Sequence, residues 1–172
     1  MKPITAVEAE SERRRARSGA RTLDEILEAF VRARDEHIVG TPSTEEELVR
    51  LEQAVGGLLP QSFRFFLARL GGGLFFYGHE IFGPRRVMIH DIELVPDLLS
   101  ARRTLVAQGT PIPDGTIPFH RARGAVHLMQ LGSDDGKGQI VSVPPSTPYP
   151  DLASFLETVV LPRRAAPPSR IS

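Results

Sequence analysis

The stretch from Leu48 to Phe76, LVRLEQAVGGLLPQSFRFFLARLGGGLFF, constrains the fold of this chain more than any other. Leu48, Leu51 and Val55 fall at i, i+3 and i+7, one face of a helix. Gly56 and Gly57 end that helix, because glycine enters the left-handed C-cap conformation without a Cβ clash. Pro60 opens a second helix at a first-turn position, where its missing N–H costs nothing. Phe63, Phe66, Leu67 and Leu70 follow at i, i+3, i+4 and i+7, while Gln61, Arg64 and Arg69 face away. The triple glycine Gly71 to Gly73 stops this helix and turns the chain into an apolar strand, Leu74 to Tyr77. Two amphipathic helices feeding a strand nucleate a core.

Glu52 breaks the pattern. It lies four residues after Leu48, on the face to be buried, where an unpaired carboxylate is costly. Leu59, at the N-cap position of the next helix, offers no side-chain oxygen, so the amides near Gln61 and Ser62 need an acceptor. The spacing predicts that Glu52 fills this structural role. A catalytic role is disfavoured, because no partner acid, base or metal ligand adjoins it in sequence.

The chain has 172 residues, about one domain and enough for a real core. With no cysteine, disulfide frameworks and thiolate metal sites are excluded. No apolar run approaches the roughly 18 residues of a membrane span, and the N-terminus is charged instead of signal-like. The expectation is a soluble, cytoplasmic protein.

Net charge is zero but unevenly distributed. Residues 1–21 carry six basic and three acidic side chains, and residues 162–172 carry three arginines and no acid. Both ends are expected to be disordered tails, basic at the N-terminus and Arg/Pro-rich at the C-terminus. The span between them, 22–161, holds 12 basic and 18 acidic residues. An acidic body argues against a nucleic-acid binder, whose folded face is basic, and suits a basic protein partner.

Taken in order, Thr22 with Glu25 forms a capping box for a first helix. Leu23, Ile26, Leu27, Phe30, Val31 and Ile38 supply its apolar stripe, and Gly40 with Pro42 closes it. Ser43 or Thr44, with Glu46 and Glu47, caps the next helix. Beyond the central stretch, Tyr77 to Pro84 reads as a turn between short strands, and Val87 to His90 as a further strand. Asp91-Ile92-Glu93 leads to Pro96, which starts a helix running to about Ala107. Ile117–His120, Ala125–Leu131 and Gln139–Val143 read as antiparallel strands, with hairpin-turn residues at Ser133 to Gly138. A proline-rich loop precedes a last helix bearing Leu152, Phe155, Leu156 and Val159, stopped by Pro162. This order implies an α+β domain: an antiparallel sheet, a mixed one also being allowed, with helices packed on it.

Catalytic motifs are missing. There is no GxSxG, P-loop or GxGxxG, and Gly71 to Gly73 follow a helix where a phosphate cradle would precede one. The five histidines, His37, His79, His90, His120 and His127, lack metal-ligand spacing. His120 and His127 would have to meet across a hairpin, near Glu80, to make a metal or acid/base site. No metal and no cofactor are therefore expected, and a metal-dependent hydrolase using His79, His120 and His127 is the least favoured reading.

Pattern and spacing resemble the SUKH superfamily, which includes a fungal cell-wall synthesis regulator and many bacterial immunity proteins. The similarity is carried by Ser43 to Gly73, with the capped helix holding Glu52, then Leu59-Pro60, an aromatic helix and a glycine turn. It continues through Asp91-Ile92-Glu93, the strand start Ile117-Pro118-Phe119 and the closing Leu152-Ala153-Ser154-Phe155-Leu156, over about Thr22 to Leu161. Two positions depart: Leu70 stands where an asparagine usually precedes the glycines, and Gly124-Ala125 replaces a common Gly-Asp step. The resemblance implies a single SUKH-like domain over 22–161 that binds protein and is not an enzyme. It implies an immunity protein that neutralises a cognate toxin, with a nuclease as one candidate, or else a regulatory or scaffolding module binding a cellular partner. The candidate partner-binding residues are Asp91, Glu93, Asp97, Asp134 and Asp135; Glu52, Pro60, Gly71, Gly72 and Phe155 are assigned to structure.

Overall fold

The computed structural model describes residues 9–10, 21–132 and 138–161. Of the two expected tails only Ala9, Glu10 and Arg21 fall among these, the first two with helical backbone. Helix α1, Leu23–Arg32, is capped by Thr22, whose Oγ1 accepts from the Glu25 amide at 3.2 Å. It buries Leu23, Ile26, Leu27 and Phe30. The expected extension to Ile38 does not occur. After a 3₁₀ turn, Arg34–Glu36, the segment His37–Val39 is strand β1 instead. Val31 is exposed and Ile38 pairs opposite Leu74, so their i, i+7 spacing belongs to two different elements. β-branched Ile38 and Val39 suit a strand once a neighbouring one offers hydrogen bonds.

Helix α2, Glu45–Val55, starts at a full capping box: Thr44 Oγ1 accepts from the Glu47 amide, and Glu47 accepts from the Thr44 amide. It ends at Gly56 with φ 78°. Helix α3, Gln61–Leu70, has Pro60 as its N-cap, one residue beyond the expected Leu59. Leu70 is buried, as are Phe63, Phe66 and Leu67.

The main sheet has the order β1-β2-β3-β6-β7-β8, every pair antiparallel. Its strands are β1, β2 (Gly73–Phe75), β3 (His79–Ile81), β6 (Thr116–Ala122), β7 (Ala125–Gln130) and β8 (Ile140–Val143). A separate two-stranded ribbon joins β4 (Val87–Ile89) to β5 (Ile92–Val95), the latter a strand that the sequence had concealed. Pairing runs Val87↔Val95, Met88↔Glu93 and Ile89↔Ile92, so Leu94 is an unpaired bulge residue that breaks the period-2 pattern. Asp97, not Pro96, caps helix α4, Leu98–Ala107. The last helix, α5 (Leu152–Phe155), widens into a π-helical turn, Leu156–Val160, which places Leu156 and Val160 in the core.

The helices and the sheet close over one principal core, rich in phenylalanine: Phe30, Phe63, Phe66, Phe75, Phe119 and Phe155 are all fully buried. Their rings meet mostly edge to face or tilted, as between Phe30 and Phe66 at 90° and Phe119 and Phe155 at 70°. This is the α+β architecture expected from the order of elements.

Candidate partner-binding surface

Three of the five acids proposed for partner binding are described. Asp91 sits in the turn of the β4–β5 ribbon and is exposed, and Glu93 is exposed on β5. Arg86 stands 3.9 Å from Glu93 with both side chains largely in solvent, an ion pair of small consequence. Asp97 is occupied otherwise: its carboxylate accepts from the Ser100 amide at 2.9 Å and the Ser100 hydroxyl at 2.8 Å. That is a helix N-cap, which the sequence concealed because the helix start had been placed at Pro96. Asp134 and Asp135, and the expected turn holding them, lie outside the described residues.

The ribbon adds residues that sequence reasoning had passed over. All of Met88 to Glu93 is exposed. Ile92 is 65% exposed, Met88 39% and Ile89 38%, whereas Val87 and Val95 at the base are buried. A two-residue turn between β-branched residues, Ile89-His90-Asp91-Ile92, was the available signal.

His79, His120 and His127 are brought together, from β3, β6 and β7. His79 Nδ1 lies 2.9 Å from His120 Nε2, and His120 Nδ1 lies 3.0 Å from His127 Nδ1. The contacts use opposite nitrogens of the His120 ring, so the three form a line with no common point for an ion. Among the described residues no three His, Cys, Asp or Glu side chains are arranged to hold a metal. Glu80 does not join them; neighbours on a strand face opposite ways, and Glu80 binds Arg121 through two hydrogen bonds of 2.6 and 2.9 Å. The line is buried beneath Phe155, whose ring centroid is 4.9 Å from that of His120 and 4.7 Å from that of His127. A neutral His120 fits this line by donating from one nitrogen and accepting at the other.

Burial disfavours charge on all three rings. It pushes His127 down to about 4 and His120 well below the usual histidine range, with His127 and His79 adding repulsion at His120. At His79 burial again leads, followed by the charge of Arg123. The unfolded chain takes up protons near pH 6.5 that the folded core refuses, so stability falls as pH drops through 6.5 and keeps falling to about 4. For His127 alone this is about 3 kcal/mol. Urea midpoints at pH 7.5 and pH 5 should therefore differ clearly, and His127→Gln should narrow the gap. Equal midpoints would mean that the line accepts charge.

The second buried polar group ties α2 to α3. Glu52 is 7% exposed and Arg64 6%. Glu52 Oε2 accepts from the Leu59 amide at 2.8 Å, and Oε1 accepts from Arg64 at 2.7 and 3.2 Å. Arg64 also donates to Glu45 at 2.8 Å. Arg64 thus points inward, against the outward orientation read from the helical period, because it neutralises the carboxylate beneath it. The donors to Glu52 are Leu59 and Arg64, where the sequence had suggested the amides near Gln61 and Ser62. Pro60 lies between the two partners in sequence.

Residues 42–159 match the model of the SMI1 / KNR4 family (SUKH-1), and this chain belongs to that family. A crystal structure of a protein from Pseudomonas syringae pv. tomato shares the fold, with a TM-score of 0.60 and 16% identity, covering 81% of this chain and 98% of that one. No curated protein sequence matches this chain. Among the described residues no helix is long and apolar enough to cross a membrane.

Proposed function

We propose that this chain is a cytoplasmic immunity-type protein that binds a basic toxin domain, with a nuclease as the leading class, and blocks it by surface complementarity without a cofactor. Membership of the SMI1 / KNR4 family supports an immunity or regulatory type of module. The observation that carries the finer reading is the acidic surplus of the folded span, 12 basic against 18 acidic residues, with Asp91 and Glu93 held out in solvent. A nuclease that grips phosphates needs a basic surface, and an acidic partner masks that surface and finds it quickly. The residues that would have served a hydrolase, His79, His120 and His127, are buried, with both nitrogens of His120 and the Nδ1 atoms of His79 and His127 engaged in one line.

The test is a pull-down with the full-length protein from a lysate of its own organism at low and high salt. One basic polypeptide, retained at low salt and released at high salt, is the expected result. Several unrelated cellular proteins would favour the regulatory or scaffolding alternative, and a salt-insensitive acidic partner would refute the electrostatic reading.

A further inference from the structure

We propose that the tip of the β4–β5 ribbon is the anchor of the binding surface, and that its partner is a basic protein with an apolar cleft rimmed by arginine or lysine. This deepens the proposed function and rests on it. The fold uses the base of the ribbon and not its tip: Val87 and Val95 are in the core, while Met88 to Glu93 are exposed without interruption. Ile89 and Ile92 are directly opposed on one side, and Met88 opposes Glu93 on the other. Apolar side chains therefore stand on both faces, which a ribbon serving only to cover the core would not need.

A cross-strand isoleucine pair also stiffens an isolated ribbon. That alone does not call for isoleucine, since threonine has comparable strand preference and is at home in water. Asp91 and Glu93 flank Ile92, and the cation Arg86 stands at the base, 3.9 Å from Glu93. Charge complementarity selects a basic occupant. A second copy of the chain is disfavoured, because a two-fold contact through this tip would set Asp91 and Glu93 against themselves.

The probe is a clarified lysate of the organism that encodes the chain, passed over four immobilised full-length proteins: wild type, Ile89→Thr/Ile92→Thr, Asp91→Asn/Glu93→Gln and Val106→Thr. The last removes an exposed apolar side chain on α4 and serves as the matched control. Retention of a basic polypeptide by wild type and Val106→Thr is expected. Its loss, by about a hundredfold or more in Kd, is expected with the isoleucine pair replaced. The Asp91→Asn/Glu93→Gln protein should bind more weakly at low salt and lose most of its salt dependence. If all four retain the polypeptide alike, the anchor is elsewhere and the binding reading survives. If wild type retains nothing basic, the reading and the anchor fall together. If wild type is a dimer by light scattering and the isoleucine variant a monomer, the tip is a self-interface and the inference is wrong. Should the double variant melt early, Ile92→Thr alone, at the most exposed position, gives the same comparison.

Discussion

Gly71→Ala should leave no stably folded protein at 37 °C, whereas Gly56→Ala should fold normally with a modest loss. Both glycines have positive φ, 70° at Gly71 and 78° at Gly56. Their surroundings separate them. A Cβ at Gly56 meets nothing within 4 Å, so only the left-handed backbone is penalised, by about 1–2 kcal/mol. A Cβ at Gly71 would lie 2.3 Å from the carbonyl oxygen of Thr41, and the backbone there, φ 70° with ψ −158°, is in a region essentially reserved for glycine. Neither backbone can retreat, because Gly40 donates to the Gly72 carbonyl at 2.7 Å and β1 is paired to β2. A loss above about 4 kcal/mol is expected, most of a typical domain's stability. Gly72→Ala should behave similarly, since its Cβ would sit 2.7 Å from Ile81 O and 2.8 Å from Gly83 N. Thermal unfolding and amide NMR of the three variants decide it. A Gly71→Ala protein with a near wild-type melting point would mean the glycine run is a linker and not a packing joint.

Arg64→Met is the second large effect. The substitution keeps much of the aliphatic stem and removes the one charge that, among the described residues, compensates Glu52 at hydrogen-bonding distance. An uncompensated buried carboxylate costs about 3–5 kcal/mol, far more than the net value of the intact pair. Arg64 itself is held strongly protonated, by Glu45 first and by Glu52 next. A double-mutant cycle separates the roles. Glu52→Gln keeps an acceptor for the Leu59 amide and should be milder, and Glu52→Gln/Arg64→Met should recover part of what Arg64→Met loses. Additive losses in urea midpoints would show that the two side chains are independent, against the 2.7 Å contact between them.

Both effects bear on how much of the molecule is legible in its residues. The i, i+3, i+4 and i+7 spacing placed α2 and α3 within a residue or two, because helical burial repeats along the chain itself. The same rule failed at Ile38, where a strand begins that exists only because β2 pairs with it. It failed at Arg64 too, since periodicity assigns a charged residue to solvent and cannot see a buried partner on the preceding helix. β5 was hidden by the bulge at Leu94. The histidine line was legible in part: the meeting of His120 and His127 across the β6–β7 hairpin follows from local pairing, whereas His79 lies 41 positions from His120 and joins them only because β3 pairs with β6.

What the sequence determined by itself is whatever nearest neighbours in the chain decide: the capping box at Thr44, the glycine stop at Gly56, the aromatic face of α3, the β6–β7 hairpin and the family pattern. What only the tertiary structure decided is which side chains are sealed and which are offered. Sheet order buries His79, His120 and His127 against one another, packs Gly71 and Gly72 against other backbone, and leaves Ile89 and Ile92 in water beside two carboxylates. Burial is a property of how elements stack, and stacking joins residues far apart in sequence, where the periods of helix and strand carry no information.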